Sequence, residues 1–222
     1  MLGQPRPGPP RRPRADAARQ PRAEATRRAL LDAALSVFTD QGYSNASVAE
    51  VVRRADASVG SLYHHFGSKV DLFLAIWEEY RHERERVASH AVAQRRARGE
   101  ADPYRLFLVG AEVYLRECWR QRETAKLFLI GDGPPGFDLL RREATQWWLR
   151  QNAVLLKAEA RPLDHAFVVV LTTTTGELAR EIVFCRTARG ARDLREAALA
   201  ILSQLCALHA GGLLDPSQPV TR

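Results

Sequence analysis

Residues 47–69 read SVAEVVRRADASVGSLYHHFGSK, and this stretch decides the fold because it packs three helix starts and two turns into 23 residues. Ser47 and Glu50 form a Ser-x-x-Glu pattern, in which the serine hydroxyl accepts the Glu50 amide and the glutamate carboxylate reaches back to the Ser47 amide. The pattern predicts a short helix that stops before Asp56, a residue type that tolerates the left-handed backbone of a sharp turn.

A second short helix follows directly. Ser58 is suited to cap it, and Leu62 and Phe66 stand four residues apart, so they share one buried side of the predicted helix 59–66. Gly67 provides its end. Two short helices joined by a tight turn, the second presenting small and hydrogen-bonding residues, are typical of the helix-turn-helix unit that fits a DNA major groove.

The residues of this unit also resemble those of a known family. The run ADASVGSLYHHF at residues 55–66, with Ser68 and Lys69 after it, resembles the signature of the TetR/AcrR family of bacterial transcriptional regulators. The resemblance extends over roughly residues 26–80. One departure is the pair Asp56-Ala57, which stands where the family usually has Gly and Val, and we expect it to alter the turn geometry slightly.

The resemblance implies an all-α fold of about nine helices, with an N-terminal three-helix helix-turn-helix domain and a larger helical C-terminal domain for ligand binding and dimerisation. It implies a repressor that binds a palindromic operator in double-stranded DNA as a homodimer formed by its last two helices. It further implies release from DNA by a small apolar effector. An alternative keeps the DNA-binding dimer but makes the C-terminal domain purely a dimerisation scaffold without an effector.

The resemblance also assigns residues to the DNA. Phosphate contacts fall to Ser47, Tyr63, His64 and Lys69, and positions at or next to the base edges to Ser58, Val59, Gly60 and Ser61. The physical properties agree, because glycine allows close backbone approach, tyrosine and histidine can donate to phosphate oxygens, and lysine adds charge beside free helix amides.

The chain begins with a basic segment. Residues 1–22 hold six arginines against Asp16, which accounts for +5 of the formal net charge of +7, and also six of the twelve prolines. This composition predicts a flexible basic arm. We expect Arg11, Arg12 and Arg14 to reach the minor groove beside the operator, although a solvated extension without a role explains the composition equally well.

Helical periodicity organises the rest of the chain. It predicts a first helix over 23–41, a connector helix from 68 to about 93, and a last helix over about 193–209 whose inward side comprises Leu194, Ala198, Ile201, Leu205 and Leu208. We therefore expect a DNA-binding domain with its connector over 23–93, an effector-binding and dimerisation domain over 101–212, and a flexible tail over 213–222.

The second half is rich in aromatic residues on successive predicted helices, namely Phe107, Tyr114, Trp119, Phe128, Trp147, Trp148 and Phe167. Such a set fits either an all-α core or an apolar pocket between helices, and the resemblance favours a pocket. The hydroxyls of Thr172 to Thr175 are expected to bond carbonyls one turn back or to line the same pocket, where we place Thr174.

Several functions are not expected. Residues 131–136 match a Gly-x-Gly-x-x-Gly pattern but contain two prolines and follow no strand, so we interpret them as a helix breaker and expect no nucleotide cofactor. His64 and His65 are adjacent and diverge on a helix, so they predict no metal site. No acid and base stand at a recognisable spacing, and we expect no enzymatic activity.

Cysteine usage and hydropathy indicate the compartment. Cys118, Cys185 and Cys206 are far apart and odd in number, which predicts free thiols in a reducing environment. No run approaches the 18 or so apolar residues that cross a bilayer. We therefore expect a cytoplasmic protein without a membrane partner.

Overall fold

The computed structural model describes residues 14–214, with side chains from residue 21 onward, and this part of the chain forms nine helices and no strand. In chain order they are α1 Arg14–Asn45, α2 Val48–Arg54, α3 Val59–Phe66, α4 Lys69–Ala97, α5 Pro103–Arg120, α6 Arg122–Leu129, α7 Phe137–Leu155, α8 Pro162–Phe184 and α9 Ala188–Ala210. The all-α architecture predicted from the sequence is confirmed. None of these helices combines the length and the apolar character that a bilayer span requires.

The first three helices pack around the apolar side of α1. Leu31, Ala34 and Phe38 are buried there, as the periodicity predicts, and they meet Val51 of α2 and Leu62 of α3 in one core. Because α2 and α3 each bury only one side against this core, their other sides remain available to a partner.

Helix α1 is longer than the sequence predicts. It begins at Arg14, nine residues before the expected start, in a segment rich in alanine, the residue with the highest helix propensity. Its regular part ends as predicted, because Gly42 has φ +76° and breaks the helix before one further turn to Asn45.

Helix α4 joins the two halves of the chain. Ser68 caps it by accepting the Asp71 amide at 3.0 Å, and it continues to Ala97, four residues beyond the predicted end. After a turn at Gly99, which has φ +93°, α5 packs back along α4.

The two halves share an aromatic core. The ring centroid of Phe73 on α4 lies 5.5 Å from that of Phe38, 5.4 Å from that of Phe128 and 5.0 Å from that of Phe137, which belong to α1, α6 and α7. Trp77 extends the cluster, with its centroid 5.2 Å from that of Phe137. The first three helices therefore rest directly on the C-terminal ones.

The last two helices pack together and against α5. The segment at residues 166–175 is helical although it is rich in β-branched residues. Helix α9 starts five residues before the predicted Asp193, because Thr187 caps it by accepting the Gly190 amide at 3.0 Å.

The inward side of α9 differs from the prediction. Ala198 is buried, but Leu202 and Cys206 complete the buried stripe, whereas Ile201 and Leu208 are exposed. Two adjacent apolar stripes run along this helix, and periodicity alone cannot tell which of them faces the chain's own core.

Candidate nucleic-acid interface and C-terminal cavity

Helix α2 is fixed at its first turn. Ser47 Oγ accepts the Glu50 amide at 3.1 Å, as the pattern predicts. The Glu50 carboxylate does not serve the second half of the predicted capping box but is held by Arg53 Nη2 at 2.7 Å and Arg54 Nε at 2.8 Å. Hydrogen bonds from these two arginines lower the pKa of Glu50 to about 2.

Arg54 also anchors α2 to α1. Its Nη1 donates to Asp40 at 2.6 Å and to Ser36 at 2.7 Å. The angle between α1 and α2 therefore depends on a charged network as well as on the apolar core.

The turn between α2 and α3 has the expected conformation. Asp56 has φ +48°, in the left-handed region, and the Ala57 amide donates to the Val52 carbonyl at 3.0 Å. Ser58 Oγ then accepts the Ser61 amide at 3.1 Å and starts α3. The departure of Asp56-Ala57 from the family pattern leaves a tight turn in place.

Helix α3 presents one buried and one open side. Leu62 and Phe66 are buried, whereas Tyr63 is 49% exposed and Val59 is 46% exposed. Gly60 and His64 are exposed as well, and Ser61 is half-buried. The structure thus leaves the predicted residues of α3 accessible, and Ser47 at the start of α2 is exposed as well.

Neither backbone conformation nor packing within the subunit requires a glycine at Gly60. A Cβ placed there would meet only the Ser58 hydroxyl, at an ordinary contact distance of 3.9 Å, and the backbone is regular helix. The absent side chain instead leaves the outer surface of α3 flat at this point.

Lys69 lies at the first turn of α4. Its Nζ is 4.4 Å from the centre of the Tyr43 ring and 3.5 Å from the Ser44 carbonyl. The ammonium is therefore held beside the α1–α2 turn, close in the chain to Ser47. Of the arm residues, Arg11 and Arg12 lie outside the described residues, and for Arg14 the structure describes the backbone alone.

The region of α1 to α4 is similar to a known protein family. Residues 30–76 match the family model described as bacterial regulatory proteins, tetR family. Residues 30–76 thus form a DNA-binding domain of the tetR family. Its helix-turn-helix is accordingly a DNA-binding unit, and the prediction of the family is confirmed.

Curated proteins match a short part of the chain. The A-factor receptor protein of Streptomyces griseus is 48% identical over 51 residues, which are 23% of this chain and 18% of that protein. The HTH-type transcriptional regulator AcrR of Shigella flexneri is 45% identical over 49 residues, 22% of this chain and 23% of AcrR. The matched stretch thus spans about a fifth of these relatives, whose names describe regulators and not enzymes.

Solved tetR-like structures share the fold over most of the chain. A transcriptional regulator from Rhodococcus sp. Rha1 has a TM-score of 0.65 at 20% identity and covers 83% of this chain and 96% of its own. The SmeT–triclosan complex has a TM-score of 0.63 at 19% identity and covers 89% and 100%. The C-terminal helices therefore follow the tetR architecture although their sequence has diverged.

A cavity of about 490 Å³ opens between α4, α5, α7 and α8. Four of the aromatic residues predicted for a pocket line it, namely Phe107, Tyr114, Trp147 and Trp148. Asn152 donates to the Thr172 hydroxyl at 2.9 Å within the wall, and Arg96, Glu177 and Arg180 add charged groups.

The other four residues predicted for the pocket lie elsewhere. Phe128 belongs to the aromatic core, where its ring is 4.9 Å from that of Tyr80, and Trp119 lies under the Arg122 guanidinium at 4.8 Å. Phe167 stacks on His209 at 3.9 Å, and Thr174 does not line the cavity, although Thr172, Thr173 and Thr175 do. Their helical positions place them on different sides of α5, α6 and α8 from the cavity.

The α6–α7 loop makes a contact that sequence reasoning missed. Asp132 accepts the backbone amides of Tyr43 at 2.8 Å and Ser44 at 2.7 Å, at the junction of α1 and α2. Burial raises the pKa of Asp132, but the hydrogen bonds from Ser44 and Tyr43 lower it by more, so the pKa of this carboxyl lies below its ordinary value. The glycine-rich loop thus links the C-terminal half to the DNA-binding unit.

Proposed function

We propose that this chain is a homodimeric transcriptional repressor that binds a palindromic operator and is released by a small ligand in the C-terminal cavity. The observation that carries the proposal is the open side of α3, where Val59, Gly60, Tyr63 and His64 are exposed together. A helix of this size, with a flat small-residue surface beside polar tips, fits the major groove.

The residues divide into two roles. Val59, Gly60 and Ser61 face base edges, where valine suits a thymine methyl and serine can bond to either base type. Tyr63, His64, Ser47 and Lys69 border this surface and bind phosphate oxygens, which sets the position of α3 along the groove. Ser58 caps the first turn of α3, which carries the residues that face the bases.

Dimerisation uses the last two helices. Phe184 of α8 is 59% exposed and Ile201 of α9 is 60% exposed, and Val170 and Leu208 extend the same helices with further exposed apolar side chains. Apolar surface of this kind on two adjacent helices supports a twofold interface in which each copy covers the other. The symmetry pairs two α3 helices with two operator half-sites, about 34 Å apart.

Ligand control rests on the cavity and its neighbours. A volume of about 490 Å³ suits a drug-sized molecule, and SmeT, which shares the fold, has been solved with triclosan. The cavity is lined by α4, which also carries Lys69, and by α7, which follows the loop of Asp132. A ligand that shifts these helices changes the spacing between the two α3 helices of the dimer. Both DNA and ligand are bound in the cytoplasm.

Two glycine substitutions test the DNA surface. Gly60 and Gly176 both lie in helices with room for an added methyl group, so alanine at either site should stabilise the helix by about 0.5–1 kcal/mol. Operator fragments selected from random DNA provide the ligand for fluorescence anisotropy. We expect Gly60→Ala to raise the melting temperature and to weaken operator binding. Gly176→Ala should raise the melting temperature and leave operator binding unchanged. Unchanged operator affinity in Gly60→Ala would refute the proposed docking surface.

A further inference from the structure

Arg84 is a buried charge in the middle of the connector helix α4. The residue is 7% exposed, and the guanidinium carbon stands 3.8 Å from the centre of the Tyr80 ring. Nη1 donates to the Cys118 thiol of α5 at 3.5 Å. A ring face and a thiol are weak partners for a cation that has been removed from water.

The remaining donors of this guanidinium are unmatched. Arg84 Nε and Nη2 have no hydrogen-bond partner within the described chain, and neither does the Tyr80 hydroxyl in the same cluster. No carboxylate among residues 21–214 forms an ion pair with Arg84. Leaving buried charged donors unpaired costs stability, so this arginine needs a reason to be retained.

The neighbouring groups do not supply a negative charge. Burial raises the pKa of the Cys118 thiol, and Arg84 only partly offsets that effect. Burial also raises the pKa of Tyr80 and of Tyr114. Thiol and phenols therefore stay neutral near pH 7, and the guanidinium charge is not balanced inside the cluster.

The two unmatched donors form the edge of a guanidinium that takes a carboxylate with two parallel hydrogen bonds. Two other arginines of the described chain bind a carboxylate through these same two donors. Arg53 Nε and Nη2 donate to the two Glu50 oxygens at 2.8 and 2.7 Å, and Arg161 Nε and Nη2 donate to the two Asp164 oxygens at 3.0 Å each. Arg84 has the same donors without the carboxylate.

The cluster lies at one end of the C-terminal cavity. Ala88, one turn beyond Arg84 on α4, lines the cavity, and so does Tyr114, one turn before Cys118 on α5. The Tyr114 ring packs against Trp148 with centroids 6.0 Å apart, and Tyr114 also acts electrostatically on Arg84 and Cys118. Tyr114 therefore belongs both to the cavity wall and to the group of side chains around the buried guanidinium.

We propose that the ligand of this cavity is an apolar molecule bearing a carboxylate, and that rotation of Tyr114 lets Arg84 bind that carboxylate through Nε and Nη2. The inference rests on the proposed function for the cavity itself. The aromatic wall holds the apolar body, and Arg84 selects the anionic end. Arg96, exposed at the opposite end of the α4 wall, has no such role.

Matched acids and alcohols test the selection. Calorimetric titration of the full chain with decanoate against decanol, and with naphthylacetate against naphthylethanol, gives the preference for an anionic end on the same apolar body. We expect the carboxylates to bind at least about tenfold more tightly, as a charge-assisted bidentate contact provides. Arg84→Met should abolish that preference and leave the alcohols unaffected, Arg84→Lys should retain it in part, and Arg96→Met should retain it fully.

Folding and induction have separate readouts. Arg84→Met removes an unpaired buried charge, so its melting temperature should equal or exceed that of the unmodified chain.

Equal binding of acids and alcohols, or a preference that survives Arg84→Met, would overturn the role of Arg84. If the alcohols alone bind and release the operator, the anion selection is wrong while the repressor proposal stands. If the acids bind through Arg84 without changing operator affinity, induction is wrong instead; if no probe binds, both proposals fail.

Discussion

Leu62 and Tyr63 are neighbours in the chain but lie on opposite sides of α3. Leu62 is 0% exposed within the core of the first three helices, while the Tyr63 ring projects into solvent. Substitutions at the two residues should therefore act on different properties, because the Leu62 side chain packs in the core and the Tyr63 side chain is exposed.

Paired substitutions at these two residues separate folding from DNA binding. Tyr63→Phe removes one exposed hydroxyl, so operator affinity should fall about three- to tenfold, with the free energy of unfolding unchanged within about 0.5 kcal/mol. Leu62→Ala should lower the free energy of unfolding by about 2–5 kcal/mol. Urea denaturation and fluorescence anisotropy measure the two effects. An unchanged operator affinity for Tyr63→Phe would remove Tyr63 from the phosphate contacts.

Asp164 shows how one buried carboxylate joins three helices. It accepts both donors of Arg161 at 3.0 Å, takes the Glu159 amide at 3.1 Å, and lies 3.2 Å from His209 Nε2 on α9. His209 Nδ1 in turn is 2.9 Å from the Tyr104 hydroxyl of α5. The hydrogen bonds from Arg161, opposed by burial, lower the pKa of Asp164.

This lowered pKa has a definite sign in the pH dependence of stability. The folded chain binds the Asp164 proton more weakly than the unfolded chain does, so the stabilisation is present above about pH 4 and is lost as the pH falls below it. Asp164→Asn should lower the free energy of unfolding at pH 7 by about 1–3 kcal/mol and make its decline below pH 4 shallower. Urea titrations from pH 7 to pH 3 measure both, with the exposed Asp193→Asn as control. Parallel curves for Asp164→Asn and the unmodified chain would contradict this account.

At the scale of helices, those with local start signals were predictable from the sequence. Ser47, Ser58 and Ser68 each accept an amide three residues ahead, so the cap and its helix lie within one short segment. The observed starts of α2, α3 and α4 accordingly agree with the prediction within a residue.

Features that depend on distant contacts were not predictable in this way. Whether Ile201 or Leu202 of α9 faces inward depends on how α8 and α5 pack against it, and the placement of Phe128 depends on ring contacts from α4 and α7. Asp132 meets Tyr43 across 89 residues of sequence, and its loop carries no signal beyond its turn residues. Arg84 was missed because an arginine in a charged helix reads as a solvent-exposed residue.

The Asp132 contact leads to a prediction for the α6–α7 loop. Asp132→Ala frees the Tyr43 and Ser44 amides, and the Ser44 carbonyl holds Lys69 beside the DNA surface. We expect a loss of about 1 kcal/mol in the free energy of unfolding and roughly fivefold weaker operator binding. Asp138→Ala in the next helix is the control, since that carboxylate pairs only with Arg141 at its exposed surface. Equal operator affinities for the two variants would rule out the loop as a positioning element.

At the scale of the whole molecule, the DNA-binding unit and the cavity belong to one packed body. The α4 helix carries Lys69 at its first turn, Phe73 in the shared aromatic core, Arg84 beside Cys118, and Ala88 in the cavity wall. A rigid helix transmits a displacement at one end to the other, so α4 connects the proposed ligand contacts near Arg84 with the proposed DNA contacts near Lys69. In the proposed mechanism a dimer converts that displacement into altered operator affinity, because the distance between the two α3 helices determines the fit to the operator.

The proposed repression depends on the dimer, and two exposed apolar residues test the proposed interface. Phe184→Glu and Ile201→Glu place charges on α8 and α9 without touching the core of the subunit, so each subunit should keep its melting behaviour within the range of surface substitutions, about 0.5 kcal/mol. Sedimentation should show the double variant to be monomeric at micromolar concentrations. Its affinity for the full palindrome should fall at least about tenfold, since two linked contacts become independent ones, while affinity for a half-site stays the same. Leu139→Glu, an equally exposed apolar position on α7, should leave the dimer intact. A double variant that remains dimeric would place the interface on another surface and with it change the predicted spacing of the recognition helices.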